Sequence, residues 1–201
     1  MAKLMVYTGP TSESAPGTRT GGVPLVPEGF AWPSCATCEG PMQFLAQLEL
    51  GPDRLLSIFM CQNDPGLCEE WDATAGGNHA YVFTSPTLTP ATVPTTGVPL
   101  LEETCAVRIE EVGGADYDEA RAVFGRQAEG GPRIVPGQLG GEPSWLQGDE
   151  QPSCETCGRP MSFAAQLEEG HNHRTAANYG GGSAYAFHCA TCATGAFLWQ
   201  Q

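Results

Sequence analysis

Apolar and polar residues alternate at every second position through much of this chain, and helical stripes are scarce. Met42, Phe44, Ala46 and Leu48 alternate with Gln43, Gln47 and Glu49, the period of a half-buried strand. Met161, Phe163, Ala165 and Leu167 repeat that alternation. Residues 55–60 and 184–188 read as the strands that follow, and each runs straight into a cysteine, Cys61 or Cys189. Residues 80–83 and 196–199 are further strands, and residues 105–111 alternate in the same way. One helix is predicted over 116–126. Asp116 caps its start with Glu119 three residues on, and Tyr117, Ala120, Val123 and Phe124 share a face. Gly130, Gly131 and Pro132 close it off. The 26 glycines and 17 prolines favour turns and short strands over long helices.

These elements divide the chain into four stretches. Residues 1–18 read as an irregular arm, since 11–18 are polar and lack periodicity. Residues 19–84 form a first β-rich half. Residues 85–137 are a connector, rich in Pro and Thr at first, with one strand and one helix. Residues 138–201 form a second β-rich half. The expected fold is mainly β, at most α+β, with two internally duplicated halves packed pseudo-symmetrically as one unit.

The duplication is read directly from the residues. Residues 33–49 align with 152–168 at an offset of 119 without a gap, and 12 of the 17 positions are identical. At the same offset Gly21-Gly22-Val23-Pro24 falls on Gly140-Gly141-Glu142-Pro143. Gln47 and Gln166 are thereby placed at equivalent positions, each after Ala and before Leu on the polar side of its strand.

Each copy opens with a thiol pair. Eight of the nine cysteines fall into two sets, Cys35, Cys38, Cys61 and Cys68, then Cys154, Cys157, Cys189 and Cys192. A Cys-x-x-Cys loop folds two thiolates onto one metal, and a second pair at the far end of a hairpin completes a tetrahedron. Four soft thiolates suit zinc, and a closed site leaves no position for water, so two structural zinc ions are expected. Each set should close within its own half, because hairpin closure over 22 or 31 residues costs less entropy than closure between halves. Disulfides fit less well, because the N-terminal stretch lacks the apolar core of an export signal and the chain is expected in the cytosol. A redox pair fits less well too, because both Cys-x-x-Cys pairs precede Pro-Met and a strand rather than a helix. Iron–sulfur ligation is harder to separate by spacing alone. Cys105 has no counterpart and sits among alternating apolar residues, the setting of a buried small hydrophobe. His171 and His173 lie in a polar loop, and His188, beside Cys189, is not needed where four cysteines are present.

The formal charge of −14 repels phosphate backbones, so a nucleic acid is not an expected partner, and a basic protein is. No run approaches the roughly 20 apolar residues of a membrane helix. No His-Glu-x-x-His, deaminase signature, nucleophile elbow or phosphate-binding loop occurs, so no catalytic residues are assigned.

Gly21-Gly22-Val23-Pro24, Trp32-Pro33 and Phe44-Leu45-Ala46-Gln47-Leu48 together resemble the YwqG-like domain family of bacteria. Residues 139–147 resemble that family's second Gly-x-Pro segment, and the cysteine pairs resemble the related programmed cell death protein 2 group. The resemblance covers about residues 20–70 and 138–200. It implies a mainly β, duplicated fold without enzymatic activity. It also implies kinship with dedicated chaperones of a ribosomal protein and with proposed toxin-immunity proteins. The expected function is a non-enzymatic, zinc-stabilised protein-binding module that chaperones or sequesters a basic partner. Toxin neutralisation is the alternative, and an enzyme with a cleft between the halves is the third.

Overall fold

The computed structural model describes residues 1–201. In chain order the strands are β1 (Ala2–Pro10), β2 (Arg19–Thr20), β3 (Leu25–Val26), β4 (Gln43–Gly51), β5 (Arg54–Met60), β6 (Asn78–Phe83), β7 (Thr89–Pro90) and β8 (Cys105–Val112). Helix α1 (Tyr117–Gly125) follows, then β9 (Gly137–Leu139), β10 (Ser162–Glu168), β11 (Ser183–Cys189) and β12 (Thr194–Gln200). Strands β3 and β7 form a separate two-stranded ladder. The other ten close into one antiparallel barrel in the order β1-β8-β2-β4-β5-β6-β12-β11-β10-β9. No helix is long and apolar enough to cross a membrane.

The halves therefore do not close separately. Strands β2, β4, β5 and β6 make one arc of the wall, and β9 to β12 make the other. The arcs meet at a narrow seam where β6 and β12 share a single paired position, Thr194 with Tyr81. On the far side β1 and β8 join them, β1 against β9 and β8 against β2. The strand preceding each half is thus built onto the other half.

This arrangement corrects the expectation of an irregular arm over 1–18. β1 pairs with β8 along its whole length, and Leu4, Met5 and Val6 are fully buried. Its buried centre, Leu4-Met5-Val6, is covered on both faces, so it carries a short continuous apolar run rather than an alternation. The predicted connector strand, β8, is likewise part of the wall rather than a link between packed bodies.

The alternation is also used differently from a single buried stripe. Register shifts interrupt β4 between Phe44 and Ala46 and β10 between Phe163 and Ala165. A bulge moves the residues beyond it to the opposite face. Leu45, Leu48, Ala164 and Leu167 consequently face the lumen with Met5, Leu56, Ile58, Ala184, Ala186 and Phe197. Met42 and Phe44 face outward beside Cys35, Cys61 and Cys68, and Met161 lies beside Cys154 and Cys189. A third outer patch, Leu4 and Val6, is covered by Tyr117, Ala120 and Phe124 of α1. The helix starts as read from the sequence: Asp116 Oδ1 accepts from Glu119 N at 2.8 Å, and Glu119 Oε2 accepts from Ala115 N at 2.7 Å.

Several contacts recur 119 residues apart. Gly21 N donates to Leu45 O and Gly140 N to Ala164 O, both at 2.7 Å. Gln47 Oε1 accepts from Leu25 N at 3.4 Å, and Gln166 Oε1 from Ser144 N at 2.9 Å. Arg19 donates to Val23 O, and Gln138 to Glu142 O. Gly21 and Gly22 have φ of 69° and 76°, and a Cβ on either would stand 2.4 Å from a backbone oxygen, so the Gly-Gly turn admits no side chain.

Candidate metal centres

The two cysteine sets come together as two quartets, one per half. The sulfurs of Cys35, Cys38, Cys61 and Cys68 lie within 4.8 Å of one another, as do those of Cys154, Cys157, Cys189 and Cys192. No disulfide is present. Cys38 and Cys61 are 3.7 Å apart and Cys157 and Cys189 3.8 Å. A sulfur–sulfur bond needs about 2.05 Å. A tetrahedron with metal–sulfur bonds of about 2.3 Å has edges of about 3.8 Å. The quartets therefore have the donor set and the spacing of closed four-thiolate metal sites.

Local folding positions each thiol. Cys35 N donates to Gly40 O at 2.9 Å and Glu39 N to Cys35 O at 2.9 Å, a tight loop ending in the Ser34–Pro41 bridge. Cys154 N to Arg159 O, Gly158 N to Cys154 O and the Ser153–Pro160 bridge build the same loop in the second half. Its left-handed residue is Gly158 (φ 69°), whereas the first loop places Glu39 there (φ 59°). Each second pair starts at a strand end, Cys61 after β5 and Cys189 at the end of β11. Because β4 and β10 run in opposite directions around the antiparallel barrel, the quartets stand at its opposite ends.

Aromatic side chains back both quartets from the barrel wall. Phe59 contacts Phe44 at 5.2 Å and Trp32 at 5.4 Å, while Trp145 packs on Tyr185 at 4.5 Å. Such surfaces limit solvent access to bound metal.

The thiols do not share one proton affinity. Burial pushes Cys38 up, but donors at Gly40 and Asn63 and the neighbouring thiols outweigh it and bring it to about 7. Burial raises Cys61 and Cys68. In the second quartet, the Thr194 hydroxyl brings Cys154 down to about 6 and Arg159 lowers Cys157, while Cys157 as partner pushes Cys192 up to about 12. Four sulfurs packed this closely cannot all ionise without a cation, which is the coupling expected of a metal site. Asn63 Nδ2 also approaches Cys38 Sγ at 3.4 Å and Cys61 Sγ at 3.5 Å. Asn63, Thr194 and Arg159 are not legible as site residues; each follows a quartet cysteine by two positions, and that nearness is the only signal.

The remaining candidates fall elsewhere. Cys105 is 1% exposed, far from either quartet in sequence, and burial with the Glu103 charge raises it to about 11. His188 belongs to neither quartet. His171 is not freely solvated: it packs edge-on against Tyr7 at 4.5 Å and contacts Thr175.

A cavity of about 360 Å³ opens at the β6–β12 seam, between the loop after Cys68 and the second Cys-x-x-Cys loop. His79, Tyr81, Ser153, Glu155, Met161 and Thr194 line it. No hydrogen bond joins His79, Tyr81 and Glu155 into a proton relay. Glu155, the one acidic residue in its lining, differs from the acidic residues on and just before β8. Glu110 pairs with Arg108 at 2.6 Å, and Arg174 lies 3.8 Å from Glu102 and 3.7 Å from Glu103. Glu111 extends the acidic edge at the end of β8. Asp149, Glu150 and Glu155 take part in none of the four ion pairs.

No protein-family model matches the chain. A 64-residue segment is 41% identical to the uncharacterized protein YpfL of Salmonella typhimurium. That segment is 32% of this chain but only 15% of the relative, so the chain spans a small part of the relative's length.

Proposed function

We propose that each quartet holds a structural zinc ion and that the chain is a non-enzymatic protein-binding module, working in a reducing, cytoplasmic setting, whose seam cleft receives a basic segment of a protein partner. One observation carries the binding site. The cleft between the halves has Glu155 in its lining, an acidic residue without a cationic partner, in a chain of formal charge −14. Such a surface attracts a basic partner over a range set by the Debye length, about 8 Å at physiological salt. Closed four-thiolate sites have no open coordination position, which favours scaffolding over metal catalysis.

The halves are read as duplicates related by an approximate twofold, with β1 and β8 exchanged between them. The contacts recurring at the 119-residue offset and the strand order support this reading. The resemblance to YwqG-like domains and the programmed cell death protein 2 group gives it a precedent in chaperoning or sequestration.

Affinity capture from the native host tests the reading, with wild-type protein and Glu155→Lys compared across a salt titration. The expected result is a basic protein that elutes as salt rises and is lost from Glu155→Lys. Capture indifferent to both, or turnover of a small molecule by the purified protein, would count against it.

A further inference from the structure

Positions 119 residues apart differ along one sheet edge. In the first half β2 pairs with β4 only at Gln47 and Ala46, and beyond that point the chain's own residues 97–103 run along the edge. Phe44 forms a parallel bridge with Leu100, and Phe44 N donates to Pro99 O at 2.8 Å. Gln43 Nε2 donates to Leu100 O at 3.2 Å, and Leu100 packs on the cluster that holds Phe44 and Phe59. A Cβ on Gly21 would stand 2.4 Å from Glu103 O, so the same segment covers the Gly-Gly turn.

In the second half β9 pairs with β10 from Leu167 to Ala165 and stops there. No segment of the chain bridges Phe163, the counterpart of Phe44. Nothing lies within 4 Å of a Cβ built on Gly140, the counterpart of Gly21. Gly21, Gln43 and Phe44 are buried, whereas Gly140 and Phe163 are half-buried and Ser162 is exposed.

The side chains that fill this space in the first half are also replaced. Phe30 and Trp32 pack on Phe59, and Asp149 and Gln151 stand 119 residues on. Gln151 Nε2 donates to Met161 O at 2.8 Å, as Trp32 Nε1 donates to Met42 O, so the loop keeps its course and loses two rings. Trp145 stands in place of Val26 and restores part of the wall by packing on Tyr185 and Phe187. A cavity of about 420 Å³ remains along the open edge. Trp145, Phe163 and Phe187 form its apolar wall, Glu142 and Asp149 are its acids, and no cationic side chain lines it. Neither acid takes part in an ion pair, and Arg159, three positions before Ser162, bonds to Cys157.

We propose that this groove binds an extended segment of a protein partner by parallel strand addition to β10, the segment carrying a bulky aliphatic residue beside a lysine or arginine. Its backbone takes the place that Pro99 and Leu100 occupy on β4, with a carbonyl accepting from Phe163 N. The aliphatic side chain lies against Phe163, Trp145 and Phe187, as Leu100 lies against Phe44 and Phe59. The basic side chain lies toward Glu142 and Asp149. An unpaired strand edge is a template for such addition, in which main-chain bonds give affinity and side-chain pockets give specificity. The groove shares no lining residue with the seam cleft, so each can be filled without the other.

The probe is an acetylated and amidated heptapeptide, Lys-Gly-Val-Pro-Leu-Leu-Lys, which sets the chain's own residues 97–101 between two lysines. It is titrated into the full-length, metal-loaded protein, followed by amide NMR. Saturable shifts are expected at Glu142, Trp145 and Phe163, with a dissociation constant of about 1 mM or below. The Phe163 amide should exchange about tenfold more slowly in the complex, because it gains an acceptor. The same peptide with glutamate at both ends should bind about fivefold more weakly, and Asp149→Asn should narrow that gap. Gln151→Trp restores the indole of the first half at an exposed position and should abolish binding. Glu155→Lys, at the seam cleft, should leave the affinity within about twofold. Absence of shifts at Phe163 up to about 5 mM peptide would overturn the proposal, as would unchanged exchange there. So would equal binding of the two peptides, binding unchanged in Gln151→Trp, or binding lost in Glu155→Lys. A dimer in sedimentation velocity that Gln151→Trp dissociates would overturn it too, because a second copy would then fill the groove.

Discussion

Replacing Gln47 with alanine removes a fully buried side chain that uses all of its hydrogen-bonding capacity. Its Oε1 accepts from Arg19 Nη2 at 3.1 Å and Leu25 N at 3.4 Å, and its Nε2 donates to Ala15 O at 3.3 Å and Gly17 O at 2.8 Å. Arg19 keeps its bonds to Gly21 O and Val23 O after the change, and Ala15 O keeps Arg19 Nε. Leu25 N and Gly17 O are left without a partner. Each orphaned group costs about 1–3 kcal/mol, and the deleted methylenes add a packing loss, so Gln47→Ala should cost about 4 kcal/mol. Gln166 is as deeply buried, at 2% exposed, but its carbonyl receives only Ser144 N. Gln166→Ala should cost about 2 kcal/mol by the same reasoning. Equilibrium urea unfolding of the metal-loaded variants measures both, and the difference corresponds to about 4–8 °C in Tm for a chain of this size. Equal costs, or a larger cost at Gln166, would refute the claim that these contacts set the stability of the two loops.

Asn63→Ala should weaken metal retention in the first quartet by about tenfold or more and leave the second unchanged, because its amide reaches Cys38 and Cys61; competition with a chromogenic chelator resolves the two sites. Glu39→Gly should raise stability by roughly 1 kcal/mol in urea unfolding, since it relieves a left-handed backbone that the second loop assigns to Gly158. Deleting residues 1–10 should abolish cooperative unfolding seen by circular dichroism, because β1 closes the barrel against β8 and β9. Acidification should release the metal as protons compete for the thiolates, with affinity falling steadily as pH drops below neutral; a metal-release titration with a zinc dye checks the direction.

Much of the wall and both quartets were legible in the chain. The strands over 43–51 and 162–168 carry alternation, those over 54–60 and 183–189 are apolar runs that lead into a cysteine, and cysteines at fixed spacing need only hairpin closure to meet. Asp116 and Glu119 marked the helix start because a capping box is a local signal. What escaped was non-local. Nothing within residues 2–10 says that they pair with 105–112, and the run Leu4-Met5-Val6, buried on both faces, has no alternation to read. The bulges after Phe44 and Phe163 sent one apparent stripe to two faces, which depends on which partner strand lies opposite. Gln47 and Gln166 read as a polar edge, yet both are buried, because loops from elsewhere in the chain fold over them and supply partners. The seam cleft exists only once the barrel has closed, so no local pattern announces it.

Native mass spectrometry of the purified chain, paired with elemental analysis and a thiol count, tests the central claim most directly. Two zinc ions per chain are predicted, with eight thiols shielded until a chelator is added and Cys105 released only on unfolding. Single replacements such as Cys38→Ser and Cys157→Ser should each remove one ion and leave the other. A chain carrying no zinc, with its quartets oxidised to disulfides or charged with another metal, would contradict the account.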